Sequence, residues 1–143
     1  MRIQSLNHST YQHQYHVVWG TRYRRKFLQE YVKRFFVDEL FKILKKYPTL
    51  YIIAVNVDLD HVHLQIEIPP DLSVAAVVQV LKSLTSASLK KEFKFIDRMY
   101  LGGGIWSVGY FSSTIGMNEN QIKRYIQYRG QQDLPQQAGF EFS

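Results

Sequence analysis

Cysteine is absent from the 143-residue chain, which excludes disulfide bonds and thiolate metal sites. No uninterrupted apolar stretch approaches the length that crosses a membrane. The first eight residues lack the apolar segment of a secretory signal. These absences predict a cytoplasmic protein that has no membrane partner.

The composition is that of a folded domain with a basic surface. Apolar residues make up 45% of the chain and aromatic residues 15%, which argues against disorder. The length predicts a single domain over residues 1–143, with an irregular tail from about residue 131. Eighteen Lys and Arg against twelve Asp and Glu leave a net charge of +6. This balance suggests a nucleic-acid partner, although a surface that is merely basic is the alternative.

One short β-strand pattern carries the most informative histidines. Residues 60–68 read DHVHLQIEI, and two prolines end the pattern. Because side chains alternate along a strand, His61 and His63 share a face, with Cα atoms about 6.5–7 Å apart. Val62 and Leu64 point to the other face, which we predict to be the core. Two imidazoles on a polar face can bind one divalent metal ion, although such pairs also occur by chance on solvated strands.

The order of the other predicted elements defines a fold class. They are a strand over 11–20, a helix over 31–47, a strand over 50–58, a helix from a Ser73 cap to about 93, a strand over 105–114 and a helix over 119–129. With the histidine strand, the order β-α-β-β-α-β plus one helix predicts an α+β, ferredoxin-like (RNA-recognition-motif-like) antiparallel sheet. Helices on one face of that sheet would leave the histidines on the open face.

A basic segment follows the first predicted strand. It consists of Arg22, Tyr23, Arg24, Arg25 and Lys26. A solvated loop is one explanation for such a run. Cations interleaved with an aromatic side chain also suit phosphates flanked by unstacked bases, so these residues are our candidates for DNA binding.

Five stretches together resemble one family. They are YHVVW at 15–19, YRRK at 23–26, DHVHL at 60–64, GYFSSTIG at 109–116 and YI at 125–126. In this order and spacing the chain resembles the single-tyrosine HUH transposases of small insertion sequences, of the insertion sequence 200 type. The resemblance implies a homodimer that cuts and rejoins single-stranded DNA at element ends bearing imperfect hairpins. It further implies Mg²⁺ or Mn²⁺ as cofactor and no nucleotide cofactor.

The resemblance also implies roles for individual residues. His61 and His63 match the metal ligands, and Tyr125 matches the nucleophile, which makes the C-terminal helix catalytic. The chain departs from the family at Arg129, where a further glutamine ligand is usual. A guanidinium has no lone pair to donate, so we expect Arg129 to contact the DNA phosphate. Water or a tail glutamine, Gln131 or Gln132, would then complete the metal shell.

One alternative concerns the nucleophile, and three concern the activity. Tyr128 stands four residues before Gln132, but Gly130 between them favours a helix end, so Tyr125 is preferred. A non-catalytic module that binds single-stranded nucleic acid would also explain the basic and aromatic content. A phosphodiesterase that uses water and a domesticated relative that processes genomic repeats remain further alternatives.

Overall fold

The structure, a computed structural model, describes residues 13–114. Its elements are β1 (Gln14–Gly20), a 3-10 turn (Arg22–Arg24), α1 (Glu30–Leu44), β2 (Tyr51–Val57), β3 (His61–Glu67), α2 (Val74–Glu92), α3 (Lys94–Met99) and β4 (Phe111–Thr114). The predicted C-terminal helix and tail lie outside the described residues. So do five residues with predicted or alternative roles: Tyr125, Tyr128, Arg129, Gln131 and Gln132.

The four strands form one antiparallel sheet in the order β2-β3-β1-β4. This order confirms the predicted ferredoxin-like α+β fold. The histidine strand β3 is internal, between β2 and β1. At its centre His63 lies opposite Val18 of β1 on one side and Asn56 of β2 on the other.

The two faces of β3 differ as the sequence pattern predicts. Val62, Leu64 and Ile66 are buried in a core that they share with apolar residues of α1 and α2. Complete burial of such a side chain contributes about 1.5–3 kcal/mol. The alternate residues, His61 and His63 among them, are half-buried on the opposite face. The helices therefore cover the apolar face, and the histidines occupy the other one.

The predicted strand over 105–114 is wrong for its first half, because β4 begins only at Phe111. Gly109 has φ +86°, a left-handed conformation that interrupts an extended chain. Residues 105–110 lie along α2 instead, where the Lys82 ammonium donates to the carbonyls of Ser107 and Gly109. A single bridge joins this segment to β1's end, between Thr21 and Trp106.

The short helix α3 is absent from the sequence-based prediction. It spans six residues, too few for an apolar periodicity to be recognised, and no side chain caps its N-terminus. Within residues 13–114, the helices are all too short or too polar to cross a membrane.

Candidate functional site

The turn between β2 and β3 positions the first histidine. The amide of Asp58 donates to the carbonyl of His61 at 2.9 Å and closes this turn. On the other side, the carbonyl of Asp60 accepts from the amide of Thr21 at 2.9 Å, which ties the turn to the end of β1. His61 therefore starts β3 at a point fixed from both neighbouring strands.

The imidazole of His61 lies between two carboxylates. Its Nδ1 is 3.0 Å from Oδ1 of Asp60, and its Nε2 is 3.0 Å from Oδ2 of Asp58. The two carboxylates differ in their access to water. The side chain of Asp60 is 8% exposed, whereas that of Asp58 is 71% exposed.

The second oxygen of Asp60 is bound by an arginine. Nε and Nη2 of Arg24 donate to Oδ2 of Asp60 at 2.9 and 2.7 Å. Burial by itself raises the pKa of the Asp60 carboxyl. The hydrogen bonds from His61 and Arg24, together with the positive charge of Arg24, outweigh burial, so this pKa lies below its usual value. Asp60 is therefore a carboxylate at neutral pH.

The arginine reaches Asp60 from a strained turn. Tyr23 and Arg24 have φ values of +60° and +52°, a left-handed conformation that side chains other than glycine rarely adopt. Each such residue costs about 1–3 kcal/mol and persists only where the surroundings hold it. The amide and carbonyl of Arg22 are both bound, to the carbonyl of Ile105 and the hydroxyl of Tyr100 respectively. These contacts hold the turn against its strain.

His63 contacts another histidine. Its Nε2 lies 3.2 Å from Nδ1 of His16 on β1, and the two ring centroids are 5.3 Å apart. His16 stands opposite Gln65 in the register, so it meets His63 on the diagonal of the antiparallel pair. This face of the sheet therefore carries three imidazoles, those of His16, His61 and His63, and two of them, His16 and His63, are in contact.

The basic residues of the segment 22–26 differ in their contacts. Arg24 is bound to Asp60, beside His61. Arg25 donates to the carbonyl of Met99, and its guanidinium lies 5.4 Å from the centre of the Tyr23 ring. Arg22 lies 5.7 Å from the same ring, and Lys26 is exposed. A role in DNA binding for these residues stays a prediction.

The donors on this face suit a divalent cation only in part. Within residues 13–114, no three His, Asp or Glu side chains are grouped closely enough to hold a metal ion. His61 and His63 would therefore need a further ligand from water, from a bound phosphate or from residues outside this range. Imidazole nitrogens favour Mn²⁺ over Mg²⁺, which prefers oxygen ligands.

Three residues of this site had no predicted role: His16, Asp58 and Asp60. Asp60 could have been suspected, because a carboxylate beside a ligating histidine commonly orients it. The contact of His16 with His63 required the strand register, which the sequence does not specify.

These observations define an α+β domain whose open sheet face carries an HVH strand with its own carboxylate and histidine partners. The model of the family described as "Transposase IS200 like" matches residues 9–129. The chain therefore belongs to the IS200-like transposase family, as the sequence resemblance predicts. Membership supports a DNA-processing enzyme.

Relatives of known sequence agree with this assignment. The transposase for insertion sequence element IS200 of Salmonella typhimurium is 32% identical over 130 residues, which are 90% of this chain and 84% of the relative. The ISDra2 transposase TnpA of Deinococcus radiodurans is 29% identical over 121 residues, 82% of this chain and 84% of that protein.

Two solved structures share the fold. A candidate transposase of Deinococcus radiodurans R1 has a TM-score of 0.73 and 28% identity, covering 81% of this chain and 89% of its own. A REP-associated tyrosine transposase bound to a REP hairpin has a TM-score of 0.54 and 17% identity, covering 80% and 62%. At that identity the second likeness concerns the fold alone.

Proposed function

We propose that this protein is a transposase that cleaves and rejoins single-stranded DNA at hairpin-bearing element ends, through a 5′-phosphotyrosine intermediate. The observation that carries the proposal is the pair His61 and His63 on the open face of β3, beside the buried carboxylate of Asp60. The family match supports it, because the matched residues 9–129 include Tyr125. Tyr125 would be the nucleophile.

The two histidines would hold Mg²⁺ or Mn²⁺. When bound, such a cation acts as a Lewis acid on a non-bridging oxygen of the scissile phosphate. The histidines fix the place of that phosphate on the open face, and Asp60 and His16 restrict the rotation of the two rings. We propose Gln131, Gln132 or water for the ligand that residues 13–114 do not supply.

The tyrosine chemistry conserves the energy of the cleaved bond. The phenolic oxygen of Tyr125 attacks phosphorus, its proton leaves to solvent or a base, and the O3′ atom departs and becomes a free 3′-hydroxyl. A phenol has a pKa of about 10 in solution, so it must lose its proton in a favourable field to react at neutral pH. Attack by a second 3′-hydroxyl reverses the step onto a new strand, so no nucleotide cofactor is needed.

A covalent-adduct assay tests the nucleophile. Labelled single-stranded element ends with Mn²⁺ should give a protein–DNA band that survives denaturing electrophoresis. Tyr125→Phe should abolish this band, and Tyr128→Phe, which removes a hydroxyl three residues away, should retain it. An adduct mapped to Tyr128 would overturn the assignment. Cleavage without any adduct would indicate a water-using phosphodiesterase, and binding without cleavage would indicate a non-catalytic module.

We propose that the DNA is held by positive charge outside the histidine pair. The basic residues 22–26 would contact backbone phosphates, and Arg129 would contact the scissile phosphate, since it cannot ligate a metal. A hairpin ligand is compatible with the related fold whose structure was solved bound to a REP hairpin. Loss of hairpin retardation on a native gel in a variant of these residues would support this role.

We propose a homodimer as the active form. The described sheet has β2 and β4 at its edges, and an edge strand exposes unpaired backbone groups that a second subunit can cover. If the Tyr125 of one subunit serves the histidines of the other, mixing Tyr125→Phe with His63→Ala subunits should restore part of the activity. A mixture without activity would argue for sites formed within one subunit, or for a monomer.

A further inference from the structure

The contacts of His61 pose a question about its proton. A neutral imidazole has one N–H donor and one bare nitrogen, and a carboxylate only accepts. Yet Nδ1 and Nε2 of His61 are each 3.0 Å from a carboxylate oxygen, of Asp60 and Asp58 respectively. A neutral ring can donate to only one of them. The other contact then places a bare nitrogen against a carboxylate oxygen, two acceptors with no proton between them.

The two carboxylates compete unequally for the single proton. Asp60 is 8% exposed, and its other oxygen is fixed by two hydrogen bonds from Arg24. Asp58 is 71% exposed, so water satisfies it as well as an imidazole does. The hydrogen bond to the shielded, immobile carboxylate is the stronger one, because water does not compete for it.

We infer that Asp60, held by Arg24, is a positioning residue that keeps the proton of His61 on Nδ1 and leaves Nε2 as the metal-binding atom. A carboxylate that orients a ligating histidine in this way commonly improves metal binding. The strained turn at Tyr23 and Arg24 contributes to this arrangement, because it brings the Arg24 guanidinium to Asp60. This inference rests on the proposed function of His61 as a metal ligand.

The first experiment needs neither metal nor substitution of Asp60 or Arg24. In ¹⁵N-histidine-labelled, metal-free full-length protein, the His61 signals are assigned with a His61→Gln variant. At a pH where the ring is neutral, the ¹⁵N shifts should show a protonated Nδ1 and a bare Nε2. A proton on Nε2 with a bare Nδ1 would overturn the inference, whatever the protein does with DNA.

The second experiment measures Mn²⁺ affinity by electron paramagnetic resonance. Asp60→Asn should weaken binding about 10–100-fold, the usual effect of removing such a carboxylate. Asp58→Asn is the matched comparison, because it removes the same charge from the other side of the same ring. Its effect should be the smaller of the two, because Asp58 is 71% exposed and water screens its charge. Circular dichroism confirms that each variant is folded.

Arg24→Met provides a second variant that leaves Asp60 in place. It should weaken Mn²⁺ binding in the same direction as Asp60→Asn, and it should broaden the His61 signals as the ring loses its fixed orientation. Wild-type Mn²⁺ affinity in both folded variants would overturn the positioning role. So would an effect of Asp58→Asn that equals or exceeds that of Asp60→Asn.

The failure of this inference is separable from the failure of the proposed function. If His61→Ala and His63→Ala lose Mn²⁺ binding while Asp60→Asn keeps it, the metal site stands and the positioning role falls. If the two histidine variants bind Mn²⁺ like the wild type, the metal site itself falls, and the inference falls with it.

Discussion

His61 and His63 are separated by one residue on the same strand face, yet the contacts that the structure describes for them differ in origin. The partners of His61 come from two turns: Asp58 and Asp60 precede β3, and Arg24 follows β1. Among residues 13–114, His63 meets the imidazole of His16, which comes from β1. The contacts described for His61 therefore come from turns and include charged groups. The contact of His63 with His16 depends on the register of β1 and β3.

This difference indicates which kind of change each histidine tolerates. The surroundings of His61 depend on a turn that carries two residues with positive φ, so substitutions in the turn should reach it. The surroundings of His63 depend on the β1–β3 pairing, which extends over seven residue pairs. Such a register resists single substitutions, because a slip would move every core side chain of β3 to the wrong face.

The largest expected effect is on DNA cleavage, and it should be the same for both histidines. His61→Ala and His63→Ala should each abolish cleavage of single-stranded element ends, because one imidazole is too few to hold the cation. Hairpin binding, measured on a native gel, should survive in both variants. Full cleavage by either variant in metal-buffered solution would remove the metal site from the proposal.

The sheet and the histidine face could be predicted because their signals are local. The alternation of polar and apolar residues over β3 is confirmed residue by residue, and the Ser73 cap accepts a hydrogen bond from the Ala76 amide at 3.0 Å. The side chains of residues 105–110 are typical of strands, and for this reason the strand predicted there is wrong. Its path along α2 depends on tertiary contacts such as the bond from the Trp106 indole to the Thr85 hydroxyl.

The partners of the histidines could not be predicted for a different reason. Arg24 and Asp60 are 36 residues apart, and His16 and His63 are 47 apart. Their contacts depend on the strand register and on a left-handed turn at two non-glycine residues, which sequence propensity argues against. A pair of histidines can therefore be found in the sequence, while the residues that orient them require the structure.

The second expected effect is on folding stability, and it tests the ionic contacts of Asp60 with Arg24 and His61. Asp60→Asn should destabilise the folded protein by about 1.5–3 kcal/mol at neutral pH, because it replaces charge-assisted hydrogen bonds. The pKa of Asp60 is lowered on folding, so its carboxylate stabilises the protein above the unfolded value of about 3.9. That contribution is lost as the pH falls through the lower, folded-state pKa.

Urea denaturation at several pH values measures this effect. The difference between wild type and Asp60→Asn should be largest near neutral pH and shrink in acid, below about pH 4. Asp58→Asn is the control, and it should change stability by no more than about 0.5 kcal/mol, as is usual at an exposed position. A difference for Asp60→Asn that stays constant down to acid pH would contradict the ionic role.

The third expected effect is smaller, and it tests the contact between the imidazoles of His16 and His63. His16→Phe keeps a ring on β1 but removes the nitrogen that meets His63 at 3.2 Å. A typical hydrogen bond contributes about 0.5–1.5 kcal/mol net, so Mn²⁺ affinity should fall about 2–13-fold. His13→Phe, made one residue before β1, is the matched control. An effect of His16→Phe larger than that of Asp60→Asn would reverse the contrast between the two histidines.

The smallest effect concerns the basic segment and separates its residues by their contacts. Replacement of Arg22, Arg24, Arg25 and Lys26 by alanine should reduce the salt dependence of DNA binding. The slope of log affinity against log salt concentration should become shallower by about 0.7 for each single-strand phosphate that the variant no longer binds. For each duplex phosphate the change should be about 0.9. A quadruple variant with unchanged salt dependence would make the segment a solvated loop.

Single variants sharpen this last test. Lys26 is exposed, whereas the charge of Arg24 is bound to Asp60 at 2.7 Å and is only 35% exposed. A cation that already neutralises a carboxylate releases fewer counterions when DNA binds. Lys26→Ala should therefore lower the slope by about 0.7, while Arg24→Ala changes it less and weakens Mn²⁺ binding instead. A reduced slope for Arg24→Ala with unchanged Mn²⁺ affinity would be the opposite pattern. It would mean that Arg24 contacts the DNA, and not Asp60, when DNA is bound.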